Sequence, residues 1–233
     1  MFPKIRHKLL KLRLQPIRVY CLHHVCAEFD AESMYAEDWM LIDDFKRAIT
    51  NMQKEGRIFI SLTEAYKHIT NDKFRNRKYV VLTFDDGYAS LKEILPWLEE
   101  QCIPVTLFIN GKYLNGKSYR ETSKEQYLTY DELFRLTSPL IEIGSHGWEH
   151  IDALQMTEQE FSTSVDKNIQ LLSHHPRYVP FMAYTYGHHA EWTDAILHDR
   201  HIVPVLVSGT LNRANAVYID RQSIPQRFYI SSK

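Results

Sequence analysis

The sequence predicts an α/β fold, a mostly parallel sheet that is open or closed into a barrel and covered by helices. Short apolar, β-branched runs alternate with segments whose apolar residues recur at helical spacing, and no linker-like stretch interrupts the alternation. The 233 residues suffice for a substantial core, and 44% hydrophobic against 24% charged residues is an ordinary globular composition. Residues 17–233 are therefore read as one domain behind a basic N-terminal extension, 1–16.

The elements follow in order. Residues 17–25 are apolar enough for a first buried strand. Residues 42–55 carry Ile42, Phe45, Ile49 and Met52 at helical spacing, and Gly56 stops them. A short strand is predicted over 58–61 and a helix over 62–69. YVVLTF, residues 79–84, is the clearest buried strand, and Asp85, Asp86 and Gly87 break it. Leu91, Leu95 and Leu98 mark a helix over 89–101, and 105–109 forms the next strand. The polar stretch 110–126 is read as a loop. A helix over 129–136 carries Asp131 and Glu132 in its first turn, where the helix dipole favours acids. A short strand at 141–143 ends at Gly144 and Ser145. Helix 157–172, strand 179–184, helix 190–199 and strand 202–207 continue the rhythm.

A formal net charge of −1 gives no global field for nucleic acid, and none is expected as a partner. Three cysteines without paired spacing, Cys21, Cys26 and Cys102, argue against a disulfide framework and point to a reducing, cytoplasmic setting. Between residues 1 and 15, Lys4, Arg6, Lys8, Lys11 and Arg13 interrupt the apolar residues, so no secretory core forms. That stretch reads as a solvated extension, or as a helix in weak contact with an anionic membrane surface at the inner membrane face.

In folds of this class sites lie at the C-terminal ends of strands. Three such ends are rich in ligands. Asp85-Asp86-Gly87 follows the strand over 79–84, His146 and His150 follow the strand over 141–143, and His23-His24 lies in the first strand. Adjacent carboxylates after a buried strand repel unless a cation sits there. The bland alternative is an Asp-Gly turn with Asp85 capping the next helix. On a helical turn, His146 and His150 would share one face, within reach of one ion. Two imidazoles with a carboxylate suit zinc or another divalent first-row metal.

The joint pattern resembles a known family. TFDDG (83–87) followed by SHGWEH (145–150) is similar to the polysaccharide deacetylases, the NodB-homology group of carbohydrate esterase family 4. VYCLHHV (19–25), the run from Ile42 to Leu62 and FMAYTYG (181–187) resemble segments of its poly-N-acetylglucosamine deacetylase branch. The resemblance spans about residues 17–225. It implies a distorted (β/α) barrel, one divalent metal ion, most often zinc, and an N-acetylated sugar or glycan as substrate. Carried over by position, Asp85 resembles the general base and His23 the general acid. Asp86, His146 and His150 resemble the metal ligands, and the backbone N–H of Tyr186 the oxyanion donor. Tyr184 and His188, near the same motif, are candidates for substrate contact, with helix capping as the alternative for His188.

Two departures stand out. Thr185 occupies the place of a proline, and Met182, Ala183 and Tyr184 fill the stretch where an arginine would hold the base. Arg221 in YIDRQSIP (218–225) resembles a C-terminal arginine segment of related chains, without an assigned role. His174 and His175 read as surface residues, and Trp148 as packing behind the ligands. Besides N-deacetylation, the pattern leaves open a glycan-binding domain with weakened catalysis and an O-acetyl ester hydrolase.

Overall fold

The structure, a computed structural model, describes residues 16–28, 39–71, 78–116, 126–210, 212 and 216–229. The basic stretch 1–15, on which the expectation of membrane contact rests, lies outside them. Among the described residues no helix is long and apolar enough to cross a membrane.

The strands are β1 (Arg18–Leu22), β2 (His24–Cys26), β3 (Trp39–Leu41), β4 (Arg57–Phe59), β5 (Lys78–Phe84), β6 (Val105–Ile109), β7 (Ile141–Ser145), β8 (Tyr178–Ala183), β9 (Val203–Leu206) and β10 (Ile219–Asp220). The helices are α1 (Ile42–Lys54), α2 (Leu62–Thr70), α3 (Leu91–Glu100), α4 (Tyr130–Phe134), α5 (Glu158–Leu172) and α6 (Glu191–His198). The main sheet runs β1-β5-β6-β7-β8-β9-β10, with β4 alongside β5 and every pairing parallel. Just beyond β10, Gln222 N–H donates to Val19 O and Cys21 N–H donates to Gln222 O, both at 3.0 Å. These two bonds bring the last strand back to the first and all but close a barrel.

Strand periodicity explains the layering. Along β5, Tyr79 and Val81 join one apolar cluster, while Val80, Leu82 and Phe84 join another. The first cluster also gathers Val19, Phe108, Phe181, Val205 and Ile219 from the other strands, with Leu62, Ala65 and Ile69 of α2. The second lies under α1 and α3. With both faces buried, β5 reads as a continuous apolar run, not an alternating one. A third cluster joins α5 and α6 to Met182, Tyr184 and Leu206. One carboxylate sits within this apolar structure. Glu142 of β7 accepts from the N–H of Leu62 at 3.0 Å, at the start of α2, and from Thr106 Oγ1 at 3.0 Å. A helix N-terminus favours negative charge there.

Two details differ from the sequence reading. The first strand is two, β1 and β2, separated at His23, and β2 leaves the barrel to pair with β3. His175 is buried, not a surface residue: its Nε2 lies 3.0 Å from Leu133 O and its ring meets Phe134 edge-on. Burial lowers its pKa, which keeps it neutral.

Gly144 allows β6, β7 and β8 to approach closely. A Cβ there would lie 2.6 Å from Phe108 Cε1 and 3.0 Å from Phe181 O. Gly144→Ala should therefore cost about 1–3 kcal/mol, read as a lower denaturant midpoint at unchanged slope. An unchanged midpoint would show slack in this layer.

Candidate active site

The ends of β1, β5, β7 and β8 carry the candidate residues. Asp85 follows β5, its N–H donating to Leu22 O at 2.9 Å. Asp86 then adopts φ 69° and Gly87 φ 80°. Aspartate tolerates the left-handed region better than most residues. Gly87 is required twice over, because a Cβ would also lie 2.9 Å from Ile109 Cδ1. The reversal separates two adjacent carboxylates.

Asp85 is met by Arg221. The guanidinium is fully buried. Nη1 donates to Oδ1 at 2.5 Å, Nη2 to Oδ2 at 2.8 Å, and Nη1 also to Thr83 Oγ1 at 3.1 Å. Phe108 lies beneath, its ring centroid 5.2 Å from the guanidinium carbon. Burial pushes the Asp85 carboxyl up, but Arg221 outweighs it and, with His146, holds the pKa below the usual range. Asp220 fixes the segment that carries Arg221. Its carboxylate accepts from Ser208 N–H at 2.7 Å, Thr210 N–H at 2.8 Å and Arg221 N–H at 2.9 Å. The arginine expected near Met182 thus comes from the barrel's closing segment.

Asp86, His146 and His150 converge. Nε2 of each histidine lies 3.3 Å from Asp86 Oδ1. Ligands about 2.0–2.1 Å from a tetrahedral ion lie roughly 3.3 Å apart, so the spacing fits one cation. Asp86 Oδ1 is buried without a hydrogen bond of acceptable geometry. Burial pushes the Asp86 carboxyl up, yet the two imidazoles hold it well below the usual range. Burial likewise disfavours a charged His146, but Asp85 and Asp86 pull its pKa above the ordinary value. The carboxylates thus favour positive charge at this point. His146 Nδ1 lies 2.8 Å from Ala183 O. A carbonyl only accepts, so Nδ1 carries the proton and Nε2 turns its lone pair toward Asp86. The three residues therefore fit a divalent ion.

The histidines do not share a helical turn. Residues 146–150 form an irregular loop in which Gly147 takes φ 79°. Buried side chains hold that loop instead. Asn110 Nδ2 donates to His146 O at 2.6 Å. Asn168 Nδ2, on α5, donates to Ser145 Oγ at 2.7 Å and to Ile109 O at 2.8 Å. Trp148 N–H donates to Ser164 Oγ at 3.0 Å. The Trp148 ring lies against Gly111, where a Cβ would meet it at 2.8 Å, consistent with packing.

The remaining candidates separate into two groups. His23 Nε2 lies 4.0 Å from Asp85 Oδ2 and its side chain is 30% exposed. His24 turns the other way, with Nδ1 2.7 Å from Ser90 Oγ and its ring stacked on Tyr88, and burial lowers its pKa to about 4. Tyr186 takes φ 59° and the residue is 61% exposed. Its ring centroid is 4.9 Å from that of His150. Tyr184 is buried and donates its hydroxyl to Asp194 Oδ1 at 2.7 Å. His188 lies beyond Tyr186, its Nδ1 2.7 Å from Asp152 Oδ2. A cavity of about 230 Å³ is lined by His23, Asp85, Asp86, His146, His150, Tyr184 and Tyr186, together with Cys21, Gly187 and Val207. Sequence reasoning missed Arg221, Asn110, Ser164 and Asn168 as parts of this site.

Removing Arg221 would strand a buried carboxylate, which costs about 3–5 kcal/mol. Arg221→Met should lose that much stability at neutral pH in chemical denaturation. The sign of the pH dependence follows from the depressed Asp85 pKa. Its pairing stabilises the fold fully above the ordinary aspartate value near ~3.9 and is lost as pH falls through the lower folded value. In Arg221→Met the guanidinium no longer opposes burial, which moves that pKa upward, so the deficit should shrink as pH falls toward ~4. A deficit independent of pH would mean that Asp85 is not the partner that matters.

A model of the polysaccharide deacetylase family matches residues 72–202. The protein YxkH of Bacillus subtilis (strain 168) is 26% identical over 118 residues, which are 50% of this chain and 39% of that protein. The structure of IcaB from Ammonifex degensii superimposes with a TM-score of 0.74 at 21% identity, covering 92% of this chain and 94% of that one. A de-N-acetylase from Aggregatibacter actinomycetemcomitans gives 0.74 at 15% identity over 90% and 95%. Deacetylase PplD of Streptococcus pyogenes gives 0.72 at 20% identity over 91% and 92%. At these identities the structural likeness is one of fold, the parallel barrel reached above. The family model spans more than half of the 233 residues and includes both aspartates and both histidines, so the chain belongs to the polysaccharide deacetylase family.

Proposed function

We propose that this chain is a metal-dependent hydrolase that removes N-acetyl groups from a sugar or glycan. The reading rests on one observation. Asp86, His146 and His150 converge at ion-binding distances beside a second carboxylate, Asp85, already satisfied by Arg221. Family membership supports an acetylated glycan as the substrate class. IcaB and the de-N-acetylase share the fold.

A divalent ion held by Asp86, His146 and His150 would act as a Lewis acid on the acyl group and acidify a water. Zinc suits the donor set. Asp85 accepts the proton of the attacking water. Pairing with Arg221 makes Asp85 a weak base, which is adequate only for an acidified water. Arg221 also fixes the carboxylate in orientation, through two parallel hydrogen bonds. The Tyr186 N–H is assigned to the developing oxyanion, on a left-handed turn at the cavity. His23, protonated, gives its proton to the departing nitrogen, because an amide nitrogen leaves poorly as an anion. Its partial exposure leaves a route for reprotonation from solvent. Tyr184 contributes to the cavity wall, whereas His188 is paired with Asp152 outside the lining and is given no substrate contact.

Asp85→Asn should keep one bound divalent ion and lose about 10²–10⁴ in acetate release from N-acetylated glycans. His146→Ala should lose both the ion and the activity. Release at the wild-type rate from Asp85→Asn would refute the assigned base. Release from O-acetylated but not N-acetylated sugars would move the chain to ester hydrolysis. No release from either would leave a binding domain.

A further inference from the structure

Beside the Asp86 cradle lies a second group of ligating atoms. Cys21 Sγ, at the end of β1, is 3.5 Å from Asp85 Oδ2. His23 Nε2 is 4.0 Å from the same oxygen. The three ligand atoms lie within 4.8 Å of one another. Around a tetrahedral ion with a sulfur ligand at about 2.3 Å and an oxygen at about 2.0 Å, those two ligands stand roughly 3.5 Å apart. The Cys21–Asp85 edge already has that length. The His23–Asp85 edge is longer than the roughly 3.3 Å expected for nitrogen and oxygen, so closing the site needs a shift of His23 toward Cys21 and Asp85. His23, partly exposed at a break between two strands, can make that movement. Cys21 and His23 line the 230 Å³ cavity and also an adjoining one of about 310 Å³, so an ion can reach them from either side.

We propose that Cys21, His23 and Asp85 form a second, inhibitory site for a thiophilic divalent cation such as zinc or cadmium. The thiolate sets its selectivity. The Asp86 cradle offers only nitrogen and oxygen, whereas sulfur favours soft ions over magnesium or manganese. On binding, metal–sulfur, metal–nitrogen and metal–oxygen bonds form, and the thiol proton leaves to solvent. No oxidant or reductant is needed. The ion would occupy the lone pair of Asp85 Oδ2 that Arg221 Nη2 does not take, together with His23 Nε2. These are the groups assigned above to take and give protons, so the inhibitory part rests on that reading, while the binding part does not.

The test is a titration of the metal-free chain with cadmium, followed by equilibrium dialysis and ultraviolet absorption. The wild-type chain should bind two ions, the second bringing a cadmium–thiolate band. Cys21→Ala should bind one ion without the band, and so should Cys21→Ser, which keeps a hydroxyl to donate to Asp85. Cys26 and Cys102 remain in both variants as internal controls. With zinc in place of cadmium, acetate release should rise with the first equivalent and fall with the second. In Cys21→Ser the fall should be absent. The proposal is overturned if the wild type stops at one ion, or if Cys21→Ser takes two with equal affinity. Normal acetate release that excess zinc leaves unchanged would overturn the inhibitory role alone and spare the proposed function. Two bound ions with no acetate release at any loading would overturn the proposed function and the inhibitory role together, and leave the second site standing.

Discussion

The buried pair of Arg221 and Asp85 ties closure of the barrel to orientation of the site. Both charges leave water, which costs several kcal/mol each unless the geometry returns it. Here the return is good: two parallel hydrogen bonds, a third to Thr83 and an aromatic face beneath the guanidinium. Arg221 adjoins Gln222, whose backbone joins the last strand to the first at Val19 and Cys21. The pair therefore forms fully only when the ring is nearly closed. The parallel ladder of β1 with β5 sets the approach of Cys21 and His23 to Asp85, and closure adds Gln222 on the other side of β1. A change that loosens the closing segment acts on the carboxylate although it touches nothing in the cavity. Asp220, with its contacts to Ser208 and Thr210, is the brace against such loosening.

The two aspartates are treated oppositely by the fold. Asp85 is neutralised by the protein's own cation. Asp86, one residue on, turns through a left-handed backbone and faces two imidazole nitrogens but no arginine or lysine within salt-bridge distance among the described residues. With neutral histidines, two carboxylates and one guanidinium leave the cavity one positive charge short of balance. The low dielectric of a buried site makes that imbalance costly, and an external cation relieves it. One adjacent pair thus yields a fixed carboxylate and a ligand, which neither residue could be if both faced the same partner.

Much of the barrel was legible because β5, β6 and β7 are buried on both faces and bounded by Gly or Asp. α1 and α5 have a clear apolar stripe. The candidate metal-holding residues were legible because the right residue types follow strand ends. Their local geometry was not, since a spacing of four suggests a helical turn and only Gly147 hints otherwise. β3 and β10 have three and two residues, too few for a period to register. Arg221 was singled out by resemblance but left without a role, for a different reason. It lies 136 residues from Asp85, next to a strand too short to announce itself. Its signal was indirect: a buried acid with no cation on neighbouring elements must draw one from elsewhere in the chain. Ser164 and Asn168 on α5 and Asn110 after β6 gave no signal, because an isolated amide or hydroxyl usually faces solvent.

Thr185 in place of proline changes how the turn bearing Tyr186 is held, not whether it is held. Proline would restrict φ locally and leave the turn independent of its neighbours. Threonine instead donates its hydroxyl to His146 O at 3.3 Å, and Asn110 donates to the same carbonyl at 2.6 Å. His146 Nδ1 returns a hydrogen bond to Ala183 O, two residues before Thr185. The turn bearing Tyr186 and the loop bearing His146 are thereby joined at two points. Left-handed residues cluster at this same place, at Asp86, Gly87, Gly147, Tyr186 and Gly187, where the backbone has little regular structure to lean on. Strained loops keep a defined shape only when their surroundings over-determine them. Side-chain hydrogen bonds of Asn110, Ser164, Asn168 and Thr185 supply that determination and tie the loop bearing His146 to the turn bearing Tyr186.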